Sequence, residues 1–417
     1  MKKIVLMYSG GLDTSCMLKW LQDKYKAKVI SFTADLGQEL GEKGSFKAIE
    51  DKAKMLGVEK RYTVDLKEEF TNEYVVPTIK ANGLYQGIYP LSTAIGRPLL
   101  AKHAVLIAEK EGADAIAHGC TGKGNDQVRI NVTARALKPD IKVLQPLVDW
   151  EMKSRAEEVE YAKKNGIPIA NANKKYSTDE NLFGRSCECD ILEHPEEIPP
   201  EDACVWTVNP AKAPDTGEVV KIGFEKGIPV SVNDKKMSPM QVIEEVHVIA
   251  ARNGVGRLEH MEDRTVGLKS RETYECPAAV TLITAHKDLE KYVCTKHENS
   301  FKTLVDQRWT ELAYEGLWID PLKEDLDAFI NEVNSRVTGW VKVLLLKGSA
   351  RAVARDSPNA IYSYKLATYE LGSTYDQQAS AGFIEIHGLQ SRMAYQIKHG
   401  AVAAAASDAK KAPAKKK

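Results

Sequence analysis

The 417-residue sequence lacks an excess of charge of either sign, because 58 lysines and arginines balance 58 aspartates and glutamates. Such a chain has no long-range field that would gather nucleic acid or an acidic membrane surface. Long apolar runs are missing too: runs such as 343–346 fall far short of the ~20 residues that a membrane-spanning helix needs. We therefore predict no nucleic-acid partner and no membrane partner, and any charged ligand must be held locally.

Cysteine is sparse, and its pattern excludes a disulfide framework. The seven cysteines are an odd number and are scattered along the chain. An apolar strand follows Met1, Lys2 and Lys3 at once, which leaves no room for a signal peptide. Cys187 and Cys189 lack the two-residue spacing common in zinc and dithiol sites, so we interpret them as reduced bystanders. The expectation is a protein of the reducing cytoplasm.

What the sequence does contain, over residues 1–168, is an alternation of short β-branched runs with helical patterns. This alternation predicts an α/β fold with a doubly wound, mainly parallel sheet. Ligands of such sheets bind outside the carboxyl ends of the strands. The loops after Met7, Phe32 and Ala117 are therefore the first places to look for a site.

The pattern changes beyond the first 168 residues. Residues 169–365 mix strand-like and helical segments and predict a second α+β domain. Residues 366–400 predict a C-terminal helical arm, with a helix over 389–399. Residues 401–417 are rich in alanine and lysine and cannot form a core, so we predict a disordered tail.

The loop after the first apolar run predicts an anion site. It reads Ser9-Gly10-Gly11-Leu12-Asp13-Thr14-Ser15 and leads into a helical pattern. Such a strand, turn and helix start gathers backbone N–H groups at the positive end of a helix. The two glycines let the backbone approach phosphate oxygens, and the hydroxyls of Ser9, Thr14 and Ser15 add donors.

A lysine is missing from this loop, which carries Asp13 where a Walker-A loop would supply a cation. A carboxylate beside phosphates is repulsive unless a cation intervenes. We therefore predict Mg²⁺ between Asp13 and the polyphosphate, bound indirectly through water. The alternative is a structural turn in which Asp13 or Thr14 is merely the helix N-cap.

A second glycine-rich loop follows the run 115–117. Residues 118–129 read His-Gly-Cys-Thr-Gly-Lys-Gly-Asn-Asp-Gln-Val-Arg. Its glycines allow close approach to a ligand, while its lysine, asparagine, aspartate and arginine present the mixed charges that an amino-acid zwitterion needs. Because it ends a strand of the same predicted sheet, we expect it to face one crevice with the first loop.

The first loop resembles the pyrophosphate-binding loop of the N-type ATP pyrophosphatases. Together with 33–38 and the second loop, it resembles the argininosuccinate synthase family, and the resemblance extends to about residue 399. Further matching motifs are at 84–91 with Arg97-Pro98, at 177–182 with 184–186, and at 262–264, 267–271 and 274–275. The resemblance implies the adenine nucleotide alpha-hydrolase-like fold and a carbon–nitrogen ligase of arginine biosynthesis.

The implied reaction joins citrulline to aspartate at the expense of ATP, which is split into AMP and pyrophosphate. The ureido oxygen of citrulline attacks the α-phosphorus, and the aspartate amine then displaces AMP from the citrullyl-adenylate. ATP and Mg²⁺ are the implied cofactors, and a homotetramer is the implied assembly.

The resemblance also implies a set of site residues. ATP would be held by Met7, Tyr8, Ser9, Gly10, Gly11, Leu12, Asp13, Thr14, Ser15, Ala34 and Gly119. Citrulline would be held by Tyr89, Thr93, Asn125, Arg129, Ser177, Ser186, Glu262 and Tyr274. Aspartate would be held by Thr121, Asn125 and Asp126. Asp13, Asp126 and Arg129 are the candidate catalytic residues, with Asp126 as an orienting group or a proton acceptor.

Several of these positions have structural alternatives. Ser177 with Glu180 fits a helix capping box. Glu262 could belong to a solvated charged face, and Tyr89 and Tyr274 could be core aromatics. Close packing would explain Ala34, and a turn would explain Gly119.

One position departs from the family. Some members carry a serine where this chain has Ala94, so a hydroxyl contact there must come from Thr93 or Ser92, or be replaced by a backbone N–H.

Two other functions compete with the ligase. One is another N-type ATP pyrophosphatase that amidates or thiolates, including those that modify tRNA. The other is a non-catalytic adenine-nucleotide-binding protein. Enzymes of the first class usually carry a glutaminase domain, a reactive cysteine pair or a basic RNA-binding face, and none is evident in this sequence. A protein of the second class would need neither a second glycine-rich loop with mixed charges nor a large added domain.

Overall fold

The computed structural model describes residues 1–40, 44–169 and 175–400 of the chain. Its residues form two compact units, Met1–Ile361 and Tyr362–Lys417. The tail predicted to be disordered, 401–417, lies outside the described residues. The domain boundaries after residues 168 and 365 stay predictions.

The first part of the larger unit is a five-stranded sheet. Every strand pair in it is parallel, and the order is β3-β2-β1-β4-β5. Ile4, Val5 and Leu6 of the central strand are fully buried, as expected of a strand covered on both faces. The strands are β1 Lys3–Met7, β2 Lys28–Asp35, β3 Lys60–Asp65, β4 Ala115–Ala117 and β5 Lys142–Leu144.

Helices connect these strands, and a glycine or a capping residue marks the end or the start of some of them. Gly112 ends the longest of them in a left-handed conformation, and Ser154 with Glu157 forms a capping box at the last. Between α3 and α4 the chain makes a π-helical turn at Thr71–Val75. The helices are α1 Leu12–Tyr25, α2 Phe46–Met55, α3 Lys67–Phe70, α4 Val76–Lys80, α5 Gly96–Glu111, α6 Asp126–Leu137, α7 Pro146–Asp149 and α8 Arg155–Lys164.

The rest of the larger unit holds two antiparallel sheets. One is four-stranded, of order β11-β12-β7-β6, and the other is five-stranded, of order β10-β9-β8-β13-β14. The strands are β6 Ser177–Asn181, β7 Gly184–Glu188, β8 Glu218–Glu225, β9 Ile228–Val232, β10 Lys235–Lys236, β11 Arg257–Asp263, β12 Lys269–Glu275, β13 Gly339–Leu346 and β14 Ser349–Asp356.

Four long helices accompany these sheets, and two of them begin with capping boxes, at Ser238 and Thr295. The helices are α9 Pro239–Arg252, α10 Pro277–Val293, α11 Lys296–Tyr314 and α12 Pro321–Asn334, with short 3₁₀ turns at Asp190–Glu193 and Glu201–Ala203. The α10 helix buries eleven residues, including Leu282 and Leu289, and packs on α9.

The second unit carries the helices α13 Tyr364–Ala367, α14 Gln377–His387 and α15 Leu389–Lys398. The predicted fold class is thus confirmed: a parallel α/β sheet, a mixed α+β region and a helical C-terminal segment. All seven cysteines are free thiols. Among the described residues, no helix combines the length and apolarity that crossing a membrane requires.

Candidate active site

The two glycine-rich loops meet at the carboxyl edge of the parallel sheet. Strand β1 has β2 on one side and β4 on the other, so the chain changes direction across the sheet beside β1, where ligands of such sheets bind. A Cβ atom added at Gly119 would lie 3.4 Å from Cγ2 of Thr14 and 3.1 Å from Cε of Met17. The two loops are therefore neighbours at this edge of the sheet, as the prediction of a shared crevice requires.

The first loop presents backbone rather than side chain to this crevice. Gly10 has φ +76°, and a Cβ there would stand 2.9 Å from Cγ1 of Ile49. Helix α1 begins at Leu12, and its cap residue, Gly11, makes no side-chain capping bond. The alternative with Asp13 or Thr14 as N-cap is wrong, since both lie inside the helix. The N–H groups of the first turn are left for an anion.

The hydroxyls of the loop divide into two groups. Ser9 Oγ lies 3.1 Å from Thr14 Oγ1 at the exposed rim. Ser15 is buried; its hydroxyl donates to the carbonyl of Gly11 at 2.6 Å and lies 3.0 Å from the hydroxyl of Tyr8. Ser9 and Thr14 can thus reach a ligand, whereas Tyr8 and Ser15 brace the loop from behind.

Two cations that sequence reasoning missed stand beside this loop. Lys52 of α2, 42 positions from Gly10 in the sequence, donates from Nζ to the carbonyl of Gly10 at 3.0 Å. Arg155, at the start of α8, places Nη1 3.6 Å from Oδ1 of Asp13. No local pattern distinguishes Lys52 from the other lysines of its helix. The lysine absent from the loop is thus partly replaced by cations from other elements.

Asp13 has a carboxyl neighbour as well. Glu158 of α8 hydrogen-bonds to it, and partial burial together with the Asp13 carboxylate raises the pKa of Glu158 to about 8. Within residues 1–40, 44–169 and 175–400, no group of three or more His, Cys, Asp or Glu side chains could hold a metal ion. Carboxylate oxygens are nevertheless ligands that Mg²⁺ prefers, so this pair fits an ion that is also held by phosphate and water.

A second group of predicted residues lies on one face of the four-stranded sheet. The register sets Ser177 opposite Glu188, Asp179 opposite Ser186, and Ser186 opposite Tyr274. Directly paired residues share a face, and alternate residues along a strand do too. We call this surface the polar sheet face; its residues are Ser177, Asp179, Ser186, Glu188, Glu262, Ser270, Glu272 and Tyr274. The capping-box alternative for Ser177 and Glu180 is wrong, because both lie on strand β6.

Glu262 is a buried anion rather than part of a solvated face, so that alternative is wrong as well. It is 3% exposed, and the hydroxyl of Tyr274 donates to its Oε2 at 2.7 Å. The hydroxyl of Tyr314 donates to its Oε1. Burial raises the pKa of Glu262 despite these two donors. A cationic ligand group would relieve the cost of burying this carboxylate.

Arg129 is the buried cation that faces the same space. Its Nε donates to the carbonyl of Tyr314 and its Nη1 to Oδ1 of Asp126, both at 2.8 Å. Its Nη2 is buried and has no hydrogen-bond partner among the residues that the structure describes. Because an unsatisfied buried donor costs about 1–3 kcal/mol, this atom calls for an acceptor on a ligand.

Tyr89 and Tyr274 are buried, as the core alternative expects. Their rings stack with centroids 4.1 Å apart. The hydroxyl of Tyr89 accepts from the backbone N–H groups of Thr93 at 3.0 Å and Ala94 at 3.2 Å, and lies 2.9 Å from Thr93 Oγ1. At the Ala94 departure, backbone N–H and Thr93 thus supply polar contacts. Ser92 is buried and bonds to Cys276 instead.

The second loop is held by a network of charges. Asp126 accepts from Nε of Arg97 and from Nη1 of Arg129, both at 2.8 Å, and Arg97 also pairs with Asp179. Burial alone would raise the pKa of Asp126, but the two guanidiniums outweigh it and hold the pKa below its usual range. A carboxylate in that state is a poor proton acceptor and a good orienting group.

The other predicted residues of this loop differ in exposure. Asn125 is buried; its Nδ2 donates to the hydroxyl of Tyr314 at 2.7 Å, and its Oδ1 accepts from the backbone of Thr265 at 2.8 Å. Thr121 is exposed at the rim. Asn125 therefore ties the loop to the polar sheet face, whereas Thr121 is open to a ligand.

Tyr314 is a further residue of this region that the sequence did not reveal. It is fully buried at the end of α11, stacks on Tyr85 with centroids 3.5 Å apart, and bridges Asn125 to Glu262. The only local signal is Gly316, with φ +80°, where a Cβ would stand 2.6 Å from the Cα of Arg129.

The comparisons with known proteins agree along most of the chain. A family model described as Arginosuccinate synthase N-terminal HUP domain matches residues 3–168, and one described as Arginosuccinate synthase C-terminal domain matches residues 176–394. An argininosuccinate synthase of Pyrococcus furiosus is 53% identical over 398 residues, which cover 95% of each chain. One of Methanocaldococcus jannaschii is 53% identical over 394 residues, which cover 94% of this chain and 98% of the relative.

Solved structures resemble the chain only remotely. A U34-tRNA thiolase from Methanococcus maripaludis is 16% identical with a TM-score of 0.26, and the match covers 42% of this chain and 61% of that one. A likeness at this level supports no argument about function.

Proposed function

The chain belongs to the argininosuccinate synthase family, and from that premise we propose how its crevice carries out the family's reaction. The protein is an ATP-dependent carbon–nitrogen ligase of arginine biosynthesis. It joins citrulline and aspartate into argininosuccinate and releases AMP and pyrophosphate by way of a citrullyl-adenylate.

The polyphosphate of ATP binds at the first loop. The unsatisfied N–H groups at the start of α1 and the exposed hydroxyls of Ser9 and Thr14 contact its oxygens. Lys52 and Arg155 add positive charge from the side. Gly119 borders the nucleotide from the second loop, and Ala34 borders it from the end of β2.

Mg²⁺ would be held at Asp13, with Glu158 close enough to share the site. The ion would supply charge neutralisation between the carboxylates and the phosphates. Asp13 and Glu158 would orient water around it, and Arg155 keeps Asp13 in place.

Citrulline binds between Arg129 and Glu262, and this placement rests on one observation. The Arg129 guanidinium lies 4.8 Å from the centre of the Tyr314 ring, and the hydroxyl of Tyr314 donates to the buried Glu262 carboxylate, so two opposite charges contact the same residue. The Nη2 of Arg129 still lacks a hydrogen-bond partner within the described part of the chain. A zwitterion matches that pair, with its carboxylate on Arg129 and its ammonium on Glu262. The uncharged contacts come from Tyr89, Thr93, Asn125, Ser177, Ser186 and Tyr274.

Aspartate binds at the second loop, where Thr121, Asn125 and Asp126 face the crevice. Asp126 orients the incoming ammonium group, because its carboxylate is fixed from behind by Arg97 and Arg129. The amine then meets the activated ureido carbon between the two loops.

The test is the requirement for all substrates together. Sustained, multiple-turnover release of pyrophosphate should need ATP, Mg²⁺, citrulline and aspartate at once, and the new product should be argininosuccinate. Equal release with ammonia or tRNA in place of the two amino acids would contradict the assignment. Removal of Mg²⁺ with EDTA should abolish turnover.

A homotetramer in the cytoplasm completes the proposal. None of the residues in α14 and α15 is buried, and the exposed side chains of these helices include Phe383, Ile384, Ile386 and Ile397. Exposed apolar patches of this kind mark interaction sites. Seven free cysteines suit a reducing compartment. Light scattering should give a tetramer for the full chain and a smaller species after truncation at residue 361.

A further inference from the structure

The aspartate step needs a proton acceptor that the residues assigned so far do not provide. An α-amino group is mostly protonated at neutral pH and has no lone pair with which to attack. Asp126 is near the expected position, but Arg97 and Arg129 each donate to it at 2.8 Å. Taking up a proton there would break two charge-assisted hydrogen bonds. A carboxylate that is free of such bonds would take up the first proton more readily.

Glu188 lies in the right part of the crevice. It is the last residue of β7, two positions after Ser186 and directly opposite Ser177, so all three lie on the polar sheet face. Its side chain is 44% exposed, which leaves the carboxylate reachable by a substrate.

Arg264 connects Glu188 to the second loop. Its Nη2 is 3.9 Å from Oε2 of Glu188 and 2.7 Å from Oε1 of Glu272, and its Nη1 donates to the carbonyl of Lys123 at 3.2 Å. Lys123 lies between Thr121 and Asn125, the proposed aspartate contacts. Arg264 thus links the Glu188 carboxylate to the loop that is proposed to bind aspartate. Among the described residues, no hydrogen bond holds this carboxylate as Arg97 and Arg129 hold Asp126.

The charges around Glu188 favour proton uptake. Partial burial contributes most, followed by the carboxylate of Glu272 on β12, and more weakly by Asp126 on α6 and Asp179 on β6; Arg264 opposes them. Together these groups raise the pKa of Glu188 to about 8. A base is most effective when its pKa lies near the working pH, which distinguishes Glu188 from Asp126.

We propose that Glu188 is the general base of the second half-reaction, which accepts a proton from the aspartate ammonium group. This assignment rests on the proposed function. One N–H bond of the ammonium breaks, and its proton goes to the Glu188 carboxylate. The nitrogen lone pair then forms the bond to the ureido carbon. The carbon–oxygen bond breaks with its electron pair going to AMP, and the phosphate of AMP accepts the second proton of the nitrogen.

The experiment separates the two half-reactions in Glu188→Gln. Citrulline-dependent exchange of pyrophosphate into ATP reports adenylation alone, and we expect it to stay within a few-fold of the wild type. Argininosuccinate formation should fall about a hundredfold or more, the usual contribution of general base catalysis. Glu193→Gln, an exposed carboxylate five positions away, is the control that should change neither rate.

Two further measurements address the role of the proton. The wild-type rate of argininosuccinate formation should rise with pH as the Glu188 carboxylate forms, and Glu188→Gln should lack that limb. Hydroxylamine is uncharged at neutral pH and needs no base, so its reaction with the adenylate should be equal in the wild type and the variant. Glu188→Asp should recover part of the lost rate.

The outcomes are distinct. Parallel loss of exchange and product formation in Glu188→Gln would show that Glu188 only supports the fold of the site, and so would an unchanged pH profile; either overturns the proposal. Failure of the wild type to form argininosuccinate would instead refute the proposed function.

Discussion

The two ends of the crevice present different groups to a charged ligand. At the first loop the protein uses backbone N–H groups at the start of α1, and the turn is set by two adjacent glycines. At the polar sheet face and the second loop it uses buried side chains from several elements, with Arg129, Glu262 and Tyr314 bonded to one another or to the same neighbours.

The difference has a consequence for how each end tolerates change. A backbone site distributes its binding over several N–H groups, so the loss of one side chain near it removes a fraction of the binding. A site of interlocked buried charges leaves a partner unpaired when any member is lost. We therefore expect single substitutions to cost more at the citrulline end than at the phosphate end, and four variants test this.

Arg129→Met should have the largest effect. It removes the Nη2 that is proposed to bind the citrulline carboxylate, and it leaves Arg97 as the remaining guanidinium bonded to Asp126. The citrulline carboxylate would then be buried without its cation, and breaking a buried charge pair costs about 3–5 kcal/mol. Because about 1.4 kcal/mol is a factor of ten, kcat/KM for citrulline should fall on the order of a thousandfold. Arg135→Met, an exposed position on the same helix, should change little. If the folded Arg129 variant lost less than tenfold in kcat/KM, substitutions at the citrulline end would not cost more than those at the phosphate end.

Asp13→Asn should come next. If Asp13 contacts Mg²⁺ through water, its replacement should lower the affinity for Mg²⁺ by roughly tenfold to a hundredfold, which is the usual loss when a residue that supports the metal ligands is removed. The measurement is the Mg²⁺ titration of pyrophosphate release at saturating citrulline and aspartate. An unchanged titration would remove Asp13 from the cation site.

Lys52→Met should raise KM for ATP about tenfold, because it removes one of several charges around the phosphates, worth about 1.4 kcal/mol. Lys54→Met is a matched control: it lies on the same helix but is exposed. If both substitutions raised KM for ATP equally, only the net charge would matter, and Lys52 would have no specific role at the phosphate site.

Ser177→Ala should have the smallest effect, roughly fivefold on KM for citrulline, because a single hydrogen bond from an exposed hydroxyl contributes about 1 kcal/mol. Ser177 lies on the polar sheet face but is not buried, so this variant separates the effect of burial from the effect of position on that face. A large effect would show that position on the face, rather than burial, decides the cost.

Much of the fold was predictable, because it is encoded in short-range pattern. The strand runs at 4–7 and 115–117 and the helix between residues 46 and 56 all lie where periodicity places them. Prediction failed at Ser177 and Glu180, where a good capping signal lies on a strand. Pairing of β6 with β7 outweighed the local preference there.

The candidate site was predictable in part. The family resemblance named Arg129, Glu262 and Tyr274, and the structure brings them together around Tyr314. It could not name Tyr314 or Lys52, because neither stands in a motif. Their roles depend on which helix ends beside which strand.

The sequence by itself determined the phosphate loop and the fold class. A turn with two glycines and a helix start depends on the φ and ψ angles of a few adjacent residues, and these are local properties of the chain. Only the tertiary structure decided which charges meet. It placed Lys52 beside Gly10, tied Asp126 between Arg97 and Arg129, and left Glu188 open beside Arg264. Such pairings join residues far apart in the chain, so they are fixed by sheet register and helix packing rather than by local preference.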